Sequence, residues 1–316
     1  MTRAALFIGI DDHPSSPLTG CVADAESLSG KLARNADDSL NFQCQVLVSS
    51  ERTINKTDVI SAINEVFTKR DAEVAVFYFA GHGALTDNGG FLVTQDTQRN
   101  DEGVPMSQLV AAANKSPSRE KVIILDCCHS GALDDLFGSG ANIPLTEGVS
   151  ILAACRSDQG AAERGGRGLF TSLICDALDG GAADIRGSVN IPGIYSYVNE
   201  ILTIWEQRPL FKANLSDLIP IRSANPSISD DKLRKLIEYF PKEDNRFALD
   251  PSYEPDAKPA DPAHEAIFAD LQQFVRARLL VPDGEDHLYY AAMNSKSCSL
   301  TPVGKFYWRC VKAGKI

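Results

Sequence analysis

The chain has 316 residues, 44% of them hydrophobic and 23% charged, which suits a globular protein with one large domain and a small appendage. Lys and Arg number 31 against 42 Asp and Glu, a net charge of −11, which argues against a general nucleic-acid or anionic-membrane binder and favours cationic substrates. No apolar run approaches the roughly 20 residues needed to span a bilayer, and residues 4–10 end in Asp11-Asp12 without a small-residue cleavage site. The expectation is a cytoplasmic protein whose eight cysteines are reduced thiols. They form no CxxC pair and no zinc-like Cys/His spacing; Cys44, Cys155 and Cys175 sit in apolar runs, as core thiols do.

In chain order, continuous β-branched runs at residues 5–10, 44–48, 74–79, 122–125 and 149–153 predict strands of a parallel sheet buried on both faces. Amphipathic stretches at 23–34, 56–69, 106–114 and 169–178 predict the helices between and after them, with another over 192–205. This βαβ rhythm predicts a doubly wound α/β domain over residues 1–222. Residues 223–262 are rich in Pro, Asp and Ser and read as a linker with a short helix over 231–239. Residues 263–316 read as a small α+β domain: a helix to about Leu280, a strand over 287–292 and a last helix opened by Leu300-Thr301-Pro302. This tail loosely resembles a winged-helix module, and a recruitment or regulatory role that docks an activating protein partner is the plainer expectation.

In an open parallel sheet the site lies beyond the carboxyl ends of the strands. The third strand runs into Ala80-Gly81-His82-Gly83 and the fourth into Asp126-Cys127-Cys128-His129-Ser130-Gly131. An imidazole and a thiol thus leave neighbouring strands at one edge. A thiolate is the nucleophile, a free thiol has a pKa of roughly 8.5, and a nearby imidazole lowers that value or takes the proton. The glycines flanking His82 permit a sharp turn, and the amides of Gly83 and Cys128 are placed to receive an oxyanion. Asp11-Asp12 after the first strand invites a phospho-receiver reading, but the third strand lacks an acceptor Asp and no phosphate-binding glycine motif occurs.

Residues 77–83 (Phe-Tyr-Phe-Ala-Gly-His-Gly) and 126–131 resemble the His and Cys motifs of the caspase and metacaspase superfamily. Residues 20–25 (Gly-Cys-Val-Ala-Asp-Ala), 153–159 with Glu163, and 207–212 resemble further metacaspase segments, so the likeness spans about residues 3–222. It implies a caspase-like, mostly parallel sheet sandwiched by helices. It also implies a cysteine endopeptidase with Cys128 as nucleophile, His82 as base, Cys127 as a buried neighbour and His129 in a structural part. Asp24 and Asp126, with Cys21 and Asp158, would line the first substrate pocket and select Arg or Lys, because two carboxylates accept a guanidinium and reject an acid. The plainer alternatives are that Asp24 serves its own helix dipole and that Asp126 is a strand-end turn residue.

Several further expectations follow from the resemblance. No cofactor is required. Calcium stays open, since Asp96, Asp101, Asp134 and Asp135 lie in suitable segments but not at clean spacing. The loop 132–148 holds no Lys or Arg, which makes Arg164 or Arg167 the expected self-cleavage site and leaves Arg156 as the other nearby basic position. The partners expected are protein substrates, with no membrane or nucleic acid, and a bacterial defence or cell-death role is implied. A catalytically silent scaffold is the alternative, disfavoured by the presence of both His82 and Cys128.

Overall fold

The computed structural model describes residues 2–14, 16–69, 72–98, 102–127, 144–154, 168–203, 209–255 and 261–316. Two compact units divide the chain, Met1–Asn225 and Pro226–Ile316.

The first unit is built on a six-stranded sheet. Its parallel strands are β1 (Thr2–Gly9), β2 (Gln43–Val48), β3 (Ala72–Gly81), β7 (Glu120–Cys127) and β8 (Val149–Ala153). β10 (Leu210–Asn214) closes one edge antiparallel to β8, giving the order β10-β8-β7-β3-β1-β2. Between β3 and β7 lie the short strands β4 (Gly83–Thr86), β5 (Gly89–Leu92) and β6 (Val104–Pro105), which form a separate antiparallel sheet. A strand pair, β9 (Ser188–Val189) with β11 (Arg222–Ser223), completes the unit.

Alternation along the strands divides the core into two layers. Leu6, Ile8, Phe77, Phe79, Ile123, Leu125 and Cys127 face α2 (Lys56–Thr68) and α3 (Met106–Lys115). Phe7, Val76, Tyr78, Val122 and Ile124 face α1 (Cys21–Ala33), α4 (Leu169–Asp176) and α5 (Ile191–Thr203). Both faces are covered, and this is why the strands read as unbroken apolar runs. The α4 helix is followed by a π turn over Ala177–Gly181, in which Gly180 takes φ 128, a conformation favouring glycine. The expected helix over 169–178 therefore stops at Asp176.

Helix α1 is seated so closely on β1 that a Cβ on Gly9 would stand 2.4 Å from the carbonyl oxygen of Cys21. Its N-terminus is capped from a distance: Asp11 accepts from the amides of Cys21 at 2.8 Å and Val22 at 3.3 Å. Asp11 is thus a structural cap, which explains a carboxylate after the first strand without phosphate chemistry.

In the second unit β12 (Arg246–Ala248), β14 (Ser297–Leu300) and β13 (Leu280–Pro282) form an antiparallel sheet in that order. Helices α6 (Asp230–Arg234), α7 (Leu236–Tyr239), α8 (Pro262–Arg276), α9 (Leu288–Met293) and α10 (Pro302–Lys312) accompany it. Much of the stretch expected as a linker is folded here. Leu233, Leu236, Phe240, Leu249 and Tyr253 are buried, and β12 pairs with β14. Asp270 on α8, itself buried, accepts from Lys235 at 2.5 Å and Tyr239 at 2.8 Å, which fastens α6 and α7 to α8. The expected strand over 287–292 is instead helix α9, and the strands lie on either side of it. Strands of three and four residues carry too few side chains to show a period, and the Tyr and Ala of α9 suit either state.

Among the described residues no helix is long and apolar enough to cross a membrane.

Candidate active site

His82 follows the last residue of β3, at the carboxyl edge of the sheet, and Gly83 opens β4 directly after it. The strand register sets Ala80 beside Asp126 and Gly81 beside Cys127. Cys128, His129, Asp134, Asp135, Asp158, Arg164 and Arg167 lie outside the described residues, as do Cys155, Arg156, Glu163 and Asp101.

The β1–α1 loop provides two groups to His82. The Nε2 atom stands 2.6 Å from the backbone carbonyl oxygen of Ser16. A carbonyl only accepts, so Nε2 carries the proton and donates. In the neutral ring this tautomer leaves the lone pair on Nδ1, the atom a general base needs. His13 packs edge-on to His82, with ring centroids 5.4 Å apart and planes at 77°. Burial, and then the proximity of His82, lower the pKa of His13 below the ordinary imidazole value. The loop is itself held down: Ser49 Oγ accepts from the Asp11 amide at 3.0 Å and Gln95 donates to the Asp12 carbonyl at 2.8 Å. Neither Ser16 nor His13 is legible in the sequence as a site residue, since a backbone carbonyl has no residue signature and the contact spans two chain segments.

Asp24 and Asp126 are brought together. Asp24 lies in the first turn of α1 and is 2% exposed; Asp126 is the penultimate residue of β7 and is 1% exposed. Both face the N-terminus of α4. The amide of Gly168, the residue preceding α4, donates to Asp24 Oδ2 at 2.9 Å. Thr171 Oγ1 donates to Asp126 Oδ2 at 2.8 Å. A Cβ built on Gly168 would stand 2.9 Å from Asp24 Oδ2 and 3.0 Å from Asp126 Oδ2, so both carboxylates converge on one point. Asp24 thus serves the end of a helix other than its own. Asp126 is no turn residue, being still paired to Ala80. Cys21, the first residue of α1, is buried. Thr171 lies in the amphipathic stretch 169–178, where nothing in the sequence marks its hydroxyl as a partner of Asp126.

The other candidates take different places. Cys127 is fully buried in the apolar layer under α2 and α3. Asp96 accepts from the amide of Lys56 at 3.0 Å and from Thr94 Oγ1 at 2.7 Å, and so caps the start of α2. No group of three His, Cys, Asp or Glu suited to a metal occurs among the described residues. Elsewhere burial raises the pKa of the Cys44 thiol and pushes that of Cys298 up to about 12, far from the reactive range.

Comparison with known proteins bears on the family and the fold. Metacaspase-5 of Trypanosoma brucei brucei is 31% identical over 166 residues, which is 44% of this chain and 31% of that relative. The match thus spans about a third of the curated relative's length. Among solved structures, protein GSU0716 from Geobacter sulfurreducens superposes with a TM-score of 0.52 at 15% identity, over 72% of this chain and 98% of that one. Caspase-1 from Spodoptera frugiperda gives a TM-score of 0.51 at 17% identity, over 71% and 91%. These two show a shared fold. A sequence model described as the caspase domain matches residues 2–236. With most of its length under that match, the chain belongs to the caspase-domain family, in the caspase and metacaspase superfamily of cysteine peptidases.

Proposed function

We propose that this protein is a cysteine endopeptidase that cleaves polypeptides after Arg, and less readily after Lys, with Cys128 as nucleophile and His82 as base. The observation that carries the specificity is the convergence of two buried carboxylates, Asp24 and Asp126, on a single point at the start of α4. Two acids at one point favour a cation and repel a substrate carboxylate. Arg suits such a site better than Lys because its planar fork engages two carboxylates, whereas an ammonium acts as a point charge.

The catalytic assignment draws on the tautomer of His82 and on the register that pairs Gly81 with Cys127, each one residue short of the proposed dyad. In the reaction the thiol of Cys128 gives its proton to Nδ1 of His82, and the thiolate attacks the scissile carbonyl carbon. The oxyanion that forms is received by the amides of Gly83 and Cys128. The C–N bond then breaks, the amine departs with the proton from His82, and a thioacyl-enzyme remains. Water, deprotonated by His82, hydrolyses it and frees the thiol. The burial of Cys127 on the opposite side of the sheet from Asp126 supports Cys128 over its neighbour.

The test is cleavage of fluorogenic peptides ending in Arg, Lys or Asp by the purified chain, with and without added calcium. Cys128→Ala and His82→Ala are expected to abolish turnover, while Cys127→Ala keeps a measurable fraction. Asp24→Asn and Asp126→Asn are expected to lower kcat/KM for the Arg peptide by roughly ten- to hundred-fold, the loss of one charged hydrogen bond. Preferential cleavage after Asp would refute the pocket assignment.

A further inference from the structure

Behind Asp126 lies a short chain of polar groups sealed from solvent. Tyr78 on β3 and Thr171 in the first turn of α4 are 0% and 1% exposed, at the layer packed beneath α1, α4 and α5. The Tyr78 hydroxyl oxygen is 2.7 Å from Thr171 Oγ1, which is 2.8 Å from Asp126 Oδ2. The direction of each proton follows from what the groups can do. An ionised carboxylate only accepts, so the hydroxyl of Thr171 donates to Asp126. Its one proton being spent, its oxygen accepts from Tyr78. Burial, and then the charges of Asp126 and Asp24, push the pKa of Tyr78 well above the ordinary phenol value, so the phenol keeps its proton throughout any assay range. The relay therefore runs one way, from Tyr78 through Thr171 to Asp126, each bond polarising the next.

Such a relay is not what packing alone would select. Phenylalanine and valine would fill these positions without burying two hydroxyls, and buried hydroxyls are costly unless bonded. The geometry ties them to the carboxylate instead. The residue that holds Asp24, Gly168, lies three positions before Thr171, so the first turn of α4 grips both acids.

We propose that Thr171, oriented by Tyr78, is a specificity-positioning residue: it fixes the plane of the Asp126 carboxylate so that a planar guanidinium meets it in one orientation. The proposal rests on the reading of Asp126 as part of the substrate pocket. A carboxylate held less firmly in its plane would still attract a cation, but it would distinguish a fork from a point charge less well. The signature of the relay is therefore the ratio of Arg to Lys cleavage, and not turnover as such.

The experiment compares Thr171→Val, Thr171→Ser, Tyr78→Phe and Asp126→Asn in the full chain on matched Arg and Lys peptides, with thermal unfolding and the rate of iodoacetamide inactivation as controls. Thr171→Val is expected to lower kcat/KM for the Arg peptide about tenfold or more, chiefly through KM, and to narrow the Arg-to-Lys ratio. Thr171→Ser, which keeps the hydroxyl, should restore the ratio, and Tyr78→Phe should narrow it by a smaller factor, about threefold. The inactivation rate should hold, because iodoacetamide does not use the pocket. An unchanged ratio in Thr171→Val, beside a lost Arg preference in Asp126→Asn, overturns the relay and leaves the pocket standing. An unchanged preference in Asp126→Asn overturns the pocket, and the relay with it. A fall in kcat at constant ratio and constant KM would mark a structural disturbance and also count against the proposal. Should Thr171→Val fail to fold, the ratio in Tyr78→Phe decides: a value equal to the parent's sinks the idea.

Discussion

The amide of Gly168 donates to Asp24 Oδ2 at 2.9 Å, joining residues 144 apart in sequence and fixing the start of α4 against the first turn of α1. Gly168 has φ −63 and ψ 136, a backbone conformation open to any residue. Space alone therefore demands glycine here, because a methyl group would press on the oxygens of Asp24 and Asp126 together. Gly168→Ala is expected to destabilise the first unit by about 1–3 kcal/mol, the usual cost of overpacking. Cleavage after Arg should fall with it. Unchanged melting temperature and kcat/KM would show that the carboxylates can part freely and do not form one site.

A second expectation concerns pH. His13 has a folded pKa below its unfolded one, owing first to burial and then to His82. A depressed value means the stability it contributes is present above the ordinary imidazole value of about 6.5 and is lost as pH falls through the lowered one. Protonation of His13 below its lowered value disturbs the loop that carries Ser16, whose carbonyl accepts from the proposed base His82. The acid limb of log kcat/KM should steepen as pH falls through the lowered His13 value. In His13→Phe, which keeps a ring edge against His82 but cannot titrate, that steepening should be absent. Identical acid limbs for the two proteins would discount the contact.

In the second unit Asp270 supplies an acid-sensitive clamp. Burial alone would raise its pKa, but hydrogen bonds from Lys235, Tyr239 and Lys232 prevail and lower it. With a lowered folded value, its contribution is present above the unfolded carboxylate pKa of about 3.9 and lost as pH falls through the folded value. Asp270→Asn should cost this unit about 1–3 kcal/mol at neutral pH, nearer the lower figure because both lysines are partly exposed. Thermal melts at pH 7 and pH 3 check this: the difference between parent and variant should shrink at the lower pH.

The division of the chain gives a fourth expectation. A protein ending at Asn225 retains the six-stranded sheet, the β9–β11 pair and every described residue of the site. Its kcat/KM on short peptides should lie within about threefold of the full chain, a change of well under 1 kcal/mol in the barrier. A soluble and folded fragment that is inert on peptides would assign Pro226–Ile316 to the catalytic apparatus.

The sequence by itself determined the parallel sheet, because strands buried on both faces must be apolar throughout, and residues 74–79, 122–125 and 149–153 admit little else. Local order also brought His82 to a sheet edge, whereas Asp24 and Asp126 were singled out by the resemblance of residues 20–25 and 126–131 to metacaspase segments. Tertiary structure alone decided what those residues meet. The tautomer of His82 depends on a backbone carbonyl 66 positions away, and the convergence of Asp24 with Asp126 depends on the space left by a missing Cβ at Gly168. The hydroxyl of Thr171 carries no signature within the amphipathic stretch 169–178, and only the fold sets Tyr78 and Asp126 on either side of it. Residues 223–262 read as a linker for the same reason: the short elements within them have no period of their own and are ordered by partners such as Ser299 and Asp270, far along the chain. Local pattern fixes which elements form, whereas contacts between distant residues, whose free energy is gained only on packing, fix what the site can do.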